Sequence, residues 1–195
     1  MGEKLRIRPL RKDEWAQAMV LATRSFVNEP FMLEMFGVDP LPRFALAHRF
    51  YQSSPWPDED LTLGAFVGGV LVGLCLSSRP GRCDVCEHID PRRPPEDPLL
   101  YFEWQFEVNV QVAHADQEAH AWMRRVAVDP ALRRAGIGRR LVAGAVRELS
   151  AIGVRTVLLE CQPHREDLYV ACGFRRVGSI PEPSGPDAAL MRADL

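Results

Sequence analysis

Val126-Ala-Val-Asp-Pro-Ala-Leu-Arg-Arg-Ala-Gly-Ile-Gly-Arg-Arg-Leu141 runs from an apolar strand through an arginine- and glycine-bearing loop straight into an amphipathic helix. This is the build of a phosphate cradle. Gly136 and Gly138 carry no Cβ, so an anion can approach the backbone closely. The N–H groups left unpaired at a helix start face outward, with the positive end of the dipole behind them. Arg133, Arg134, Arg139 and Arg140 concentrate charge at the same place.

The flanks extend the reading. Ile137, Leu141, Val142, Ala145, Val146 and Leu149 recur at the spacing of one buried helix face, and Gly153 is a natural stop. Val154 to Cys161 follows as a short β-rich run, so the order strand, loop, helix, strand predicts a βαβ unit with a parallel pair and a right-handed crossover. A Rossmann dinucleotide site is disfavoured, because Leu141 stands where its third glycine would be. Further on, Leu159 to Phe174 carries Tyr169 four residues before the pair Gly173-Phe174. A phenol with an ordinary pKa of about 10 stays protonated at neutral pH and can donate to a leaving sulfur, or it can simply pack a helix on a sheet. Gly173 reads as a left-handed helix cap and Phe174 as a core anchor.

The spacing Arg133-x-x-Gly136-x-Gly138 resembles the R/Q-x-x-G-x-G/A signature of the GCN5-related N-acetyltransferases, the GNAT superfamily, and the tyrosine before Gly-Phe resembles a second element of that family. The resemblance implies a fold of the α/β (α+β) class. It has three layers, a central mixed β-sheet of about six to seven strands flanked by helices, and an insertion between the third and fourth strands. It also implies that acetyl-CoA is the acyl donor. Its pyrophosphate would sit on Arg133, Arg134, Ala135, Gly136, Ile137, Gly138 and Arg139, and its pantetheine arm on the backbone of Val126 and Val128. Tyr169 takes the position of the general acid that protonates the departing thiolate. Many members carry an asparagine ahead of this tyrosine, where this chain has Gln162 and Arg165. Asn28-Glu-Pro30, Trp122, Leu159-Glu160 and Leu190-Met-Arg192 loosely resemble the puromycin acetyltransferase-like branch.

On that resemblance the chemistry is direct attack of a primary amine on the thioester. An aliphatic amine is mostly protonated at neutral pH, so a base must take its proton. Glu160, at the end of its strand, is the first candidate; Glu103, Glu107 and His120 are others. The segments expected to line the acceptor pocket hold Glu29, Glu34, Asp58, Glu59, Asp60, Glu103 and Glu107, which favours a small cationic amine.

Composition narrows the setting. With 195 residues and 47% hydrophobic content the chain builds one domain, residues 1–195, with a sizeable core. A net charge of −2 supplies no global basic field for nucleic acid or an anionic membrane. No apolar run of spanning length or export-signal pattern is present, so a cytoplasmic setting is expected. Five cysteines there read as reduced thiols. Cys83-x-x-Cys86-x-His88 can supply three zinc ligands where a structural site usually needs four; a polar loop without metal is the reading adopted. Two alternatives to an enzyme follow: a non-catalytic acyl-CoA-binding module, and a metal-binding interaction protein built on that loop. The sequence leaves the oligomeric state open, a homodimer included.

Elsewhere, Leu5 to Pro9 alternates as a first strand, Lys12 to Val27 reads as a helix, and within Phe31 to Phe50 the apolar-aromatic stripe Phe44, Leu46, Phe50 that follows Asp39-Pro-Leu-Pro42 reads as a second. Leu61 to Val67 and Val70 to Leu76 form a hairpin about Gly68-Gly69. Residues 80 to 98 read as loop. Residues 99 to 113 set Leu100, Phe102, Trp104, Phe106, Val108, Val110 and Val112 against polar neighbours, a strand period. The family resemblance places a helix there instead, and helix is the expectation adopted, since His120 to Val128 already supplies the strand before the loop.

Overall fold

The computed structural model describes residues 4–53, 61–79, 89–115, 117–182 and 185–195. Its strands are β1 (Arg6–Pro9), β2 (Leu61–Val67), β3 (Val70–Ser77), β4 (Ala121–Val128), β5 (Thr156–Cys161), β6 (Arg175–Ile180) and β7 (Ala188–Asp194). Among the described residues, six α-helices accompany them: α1 (Trp15–Phe26), α2 (Pro30–Phe36), α3 (Pro40–Ser53), α4 (Pro98–His114), α5 (Ile137–Ala151) and α6 (Glu166–Val170). The strands form a single mixed sheet in the order β1-β2-β3-β4-β5-β7-β6. All neighbours are antiparallel except β4 and β5, the parallel pair expected from the βαβ unit.

Helices cover both faces because side chains of consecutive strand residues point to opposite sides. Leu63, Ala65 and Cys75 lie under Leu141, Val142, Ala145 and Leu149 of α5. Phe66, Leu71 and Leu74 lie under Ala18 and Leu21 of α1. Each fully buried leucine contributes roughly 1.5–3 kcal/mol relative to exposure, so these two interfaces hold the layers together. Gly73 lets α5 sit close: a Cβ there would stand 2.8 Å from Leu141 Cδ1. Gly68 and Gly69 have φ of +57° and +80°, the two positive values a type I′ hairpin demands.

The second helix expected on Phe44, Leu46 and Phe50 is α3; the short α2 precedes it, and Gly37 (φ +79°) leaves helical geometry before Pro40 starts α3. The first helix begins as a 3-10 turn, Lys12–Glu14, before α1 proper. Residues 99 to 113 are helical, inside α4, whose start is marked by Pro98 and by Asp97 accepting a hydrogen bond from the Leu99 N–H.

Candidate functional site

The parallel pairing of β4 and β5 lasts for only two residue pairs, Ala121 with Val157 and Trp122 with Leu158. Beyond Trp122 the strands part, and a cavity of about 760 Å³ opens in the gap. The register against β3 decides what the open edge of β4 presents. Asp129 N–H bonds to Val72 C=O, and Val128 lies opposite Gly73 and Val126 opposite Cys75. Hydrogen-bonded and non-bonded pairs alternate in an antiparallel ladder, so the backbone polar groups of Val126 and Val128 point into the gap. The Ser25 hydroxyl donates to one lone pair of the Val128 carbonyl.

At the far end of β4 the glycine loop closes the gap. Arg134 (φ +66°) and Gly136 (φ +77°) are both left-handed, and this turn delivers the chain into α5. The first bond of the helix runs from Arg140 N–H to Gly136 C=O, so the preceding N–H groups of the first turn have no helical partner. Gly138 has ordinary backbone, and a Cβ there would stand 3.7 Å from Leu168 and Val128, so the fold itself tolerates alanine. Arg133, Arg134, Gly136, Ile137, Gly138 and Arg139 line the cavity; Ala135 and Arg140 do not. Arg133 donates to Ser25 C=O at 2.5 Å, while Arg134 and Arg139 add exposed charge beside the cavity.

Tyr169 reaches the cavity from α6. It packs edge-on to Phe174, with ring centroids 6.0 Å apart, and Gly173 (φ +92°) turns the chain between them. Packing and lining are thus one position. Burial pushes its phenol pKa up, so the hydroxyl keeps its proton.

Glu160 sits near the end of β5, facing the cavity with a side chain only 6% exposed. Both its oxygens are held: Trp122 Nε1 donates to Oε2 at 2.7 Å, and His114 Nε2 lies 2.8 Å from Oε1. His120 lies behind His114, Nε2 to Nδ1 at 3.2 Å, and does not itself line the cavity. Glu103 and Glu107 do line it, but each is paired with an arginine of β4: Arg125 bonds Glu103, and Arg124 bonds Glu107 at 2.5 Å. A register shift in β4 opposite Leu76/Ser77 lets these two consecutive arginines reach the same helix. Burial pushes Glu107 up and Arg125 down, each toward its neutral form, and the pairing across α4 and β4 opposes both.

The sequence did not point to Glu182, nor to His114 or Gln162 as partners of the cavity carboxylates. Glu182 lines the cavity and accepts from Gln162 Nε2 at 3.1 Å; burial, with Glu160 nearby, pushes its carboxyl up to about 7. Glu182 follows β6 in a proline-bearing stretch with no motif around it, so no pattern pointed there. Gln162 directly follows β5, where the family resemblance had flagged only a departure. Glu29 faces the same opening, taking Arg165 Nη2 at 2.7 Å.

Cys83, Cys86 and His88 lie outside the described residues, as do Asp58, Glu59 and Asp60. Among the described residues, no group of three or more His, Cys, Asp or Glu is placed to hold a metal ion, and no helix is long and apolar enough to cross a membrane. Cys75, Cys161 and Cys172 are free thiols, and burial pushes Cys75 and Cys161 up to about 12.

Comparison with known proteins sets these features in context. A family model described as the acetyltransferase (GNAT) family matches residues 30–174. No curated protein matches the chain by sequence. Among solved structures, a Drosophila melanogaster polyamine N-acetyltransferase that forms N-acetylagmatine is similar at TM-score 0.68 and 15% identity, covering 97% of this chain and 98% of that one. A mosquito arylalkylamine N-acetyltransferase-like protein is similar at 0.67 and 14%, covering 98% and 100%. The PaiA N-acetyltransferase of Thermoplasma acidophilum, solved with coenzyme A, is similar at 0.58 and 15%, covering 98% and 99%. At these identities the likeness is one of fold, and the family model does not distinguish the puromycin acetyltransferase-like branch.

Proposed function

This chain belongs to the GNAT acetyltransferase family, and from that premise we propose that it moves the acetyl group of acetyl-CoA to the primary amine of a small, cationic molecule. The observation that carries the reading is the gap between β4 and β5. It has anion-binding backbone at one end, the outward-facing polar groups of Val126 and Val128 along one wall, and Tyr169, Glu160 and Glu182 around the same cavity.

Each group has a task. The unpaired N–H groups at the start of α5, with Arg134 and Arg139, hold the pyrophosphate. Val126 and Val128 take the pantetheine arm as a further strand would be taken, leaving the thioester beside Tyr169. Glu160 takes a proton from the incoming ammonium. The neutral nitrogen then attacks the carbonyl carbon; the N–C bond forms, the C–S bond breaks, and Tyr169 gives its proton to the sulfur. The second nitrogen proton replaces the one Tyr169 gave, so the balance closes. Phe102, Phe106 and Trp122 line the acceptor part with Glu182, which suits an amine with an apolar body. Agmatine and tryptamine are therefore the first acceptors to try.

Calorimetric titration with acetyl-CoA tests the reading, because Gly138→Ala leaves the fold intact while filling the space a phosphate needs. Micromolar binding that weakens at least tenfold in the variant, about 1.4 kcal/mol, is expected, together with acetylation of one probe amine seen by mass spectrometry. Failure of the wild-type chain to bind any acyl-CoA would overturn it.

A further inference from the structure

Behind Glu160 the two histidines continue the hydrogen-bond chain away from the cavity, from β5 through the last residue of α4 to the start of β4. His120 Nδ1 lies 2.7 Å from the Glu118 carbonyl oxygen. A carbonyl only accepts, so His120 Nδ1 carries a hydrogen. His120 Nε2 faces His114 Nδ1, and His114 Nε2 faces Glu160 Oε1. With both rings neutral, His120 Nε2 must accept from His114 Nδ1–H, which leaves His114 Nε2 bare against a carboxylate oxygen: two acceptors 2.8 Å apart. The chain of bonds closes only if the three side chains hold one extra proton. Three placements satisfy every bond: on Glu160, on His114, or on His120. They interconvert by shifting hydrogens along the two bonds already present.

Resting on the acetyl-transfer reading above, we propose that Glu160, His114 and His120 form a proton relay that carries the ammonium's proton along one face of the sheet, from the cavity to the end of β4 where the chain enters it. With the relay empty, Glu160 is a carboxylate and one bond of the chain is unmade. The ammonium N–H proton passes to Glu160 and completes the chain. The same hydrogens then shift so that His114 and finally His120 bear the charge, and His120 releases a proton to water beside the exposed Glu118 segment. No bond to carbon changes, and each proton that enters leaves. His120 is built as the exit. Burial, together with charge on His114 and with Arg192 of β7, lowers its pKa, against the opposing pull of the Glu118 carbonyl and Glu160, so it does not retain the proton. The other groups bearing on the relay are Trp122 on Glu160 from β4, and Glu182, whose own titration Glu160 influences. His114 is 1% exposed and His120 5%, so bulk water does not short-circuit the path between them.

Two measurements test the relay, and they fail separately. The first needs no substrate. In histidine-labelled wild-type protein followed from alkaline to acid pH, the ring-nitrogen spectrum is expected to pass from two neutral rings, His120 protonated on Nδ1, to a single added proton shared along the chain. Two rings that take up protons independently of one another would overturn the proposal. The second uses His114→Gln, which can still donate a hydrogen bond to Glu160 but cannot pass a proton on. With acetyl-CoA and agmatine or tryptamine, kcat/KM is expected to fall about tenfold or more at neutral pH. The deficit should shrink toward alkaline pH, where an amine of pKa about 10 increasingly arrives neutral, while acetyl-CoA affinity stays unchanged. An unchanged rate, or a deficit constant with pH, would overturn the relay and leave acetyl transfer standing. A wild-type chain that acetylates neither amine and binds no acyl-CoA would instead overturn the function, leaving the ring-nitrogen spectrum to judge the relay.

Discussion

A phenol held among apolar groups and thiols is a weaker acid than one in water, and that makes Tyr169 a durable proton carrier. The sign is simple: its folded pKa is raised, so its donor form persists through neutral and moderately alkaline pH. Tyr169→Phe keeps the ring against Phe174 and deletes only the proton. Steady-state kinetics should show kcat lower by about a hundredfold with acetyl-CoA affinity unchanged; an unaltered kcat would remove the role given to Tyr169. At this scale the sequence was informative where a residue's type and spacing are themselves the chemistry. Arg133-x-x-Gly136-x-Gly138 marked the turn that leads into α5 and lines the cavity, and in the structure the guanidinium of Arg133 braces Ser25. Glu160 was legible as a carboxyl at a strand end. Its engagement by His114 and Trp122 was not, because those partners lie 46 and 38 positions away in the chain.

Among the elements, α4 shows why periodicity misled. Its apolar residues alternate, yet the residues it buries are Glu107, Val110 and His114, at helical spacing. Two of these three are polar because the buried face carries partners for Arg124 and Glu160, while Val112 is 70% exposed. A pattern that counts only apolar residues reads such a helix inside out. The pairing has an energetic consequence. Glu107→Ala leaves Arg124 buried without its main carboxylate, and removal of one partner from a buried pair costs about 3–5 kcal/mol. Urea denaturation should show a loss of that order, reduced if water enters the space; a loss below about 1 kcal/mol would mean that α4 is held on by its apolar contacts alone. The break between α2 and α3 was legible in principle, since glycine and proline both stand at it.

Across the whole molecule, the βαβ core from β4 to β5 and the hairpin of β2 and β3 could be read from local pattern, because neighbours in sequence are neighbours in space. The insertion of β7 between β5 and β6 could not. Nothing local tells β7 to pair with β5 along six residues while β6 takes the edge. The strongest global consequence lies in the sheet's weak midline, where two residue pairs join its halves. The acceptor chamber is walled by both halves, with Arg124 and Trp122 from one and Glu160 and Glu182 from the other. On the proposed reading, the donor's arm lies in the seam and completes that wall before any amine can be gripped. Turnover should therefore follow a compulsory order, donor first and free coenzyme A last. Initial-rate studies would then find coenzyme A competitive with acetyl-CoA and non-competitive with the amine, whereas a symmetrical pattern would mean that the chamber is already whole while the seam stands open.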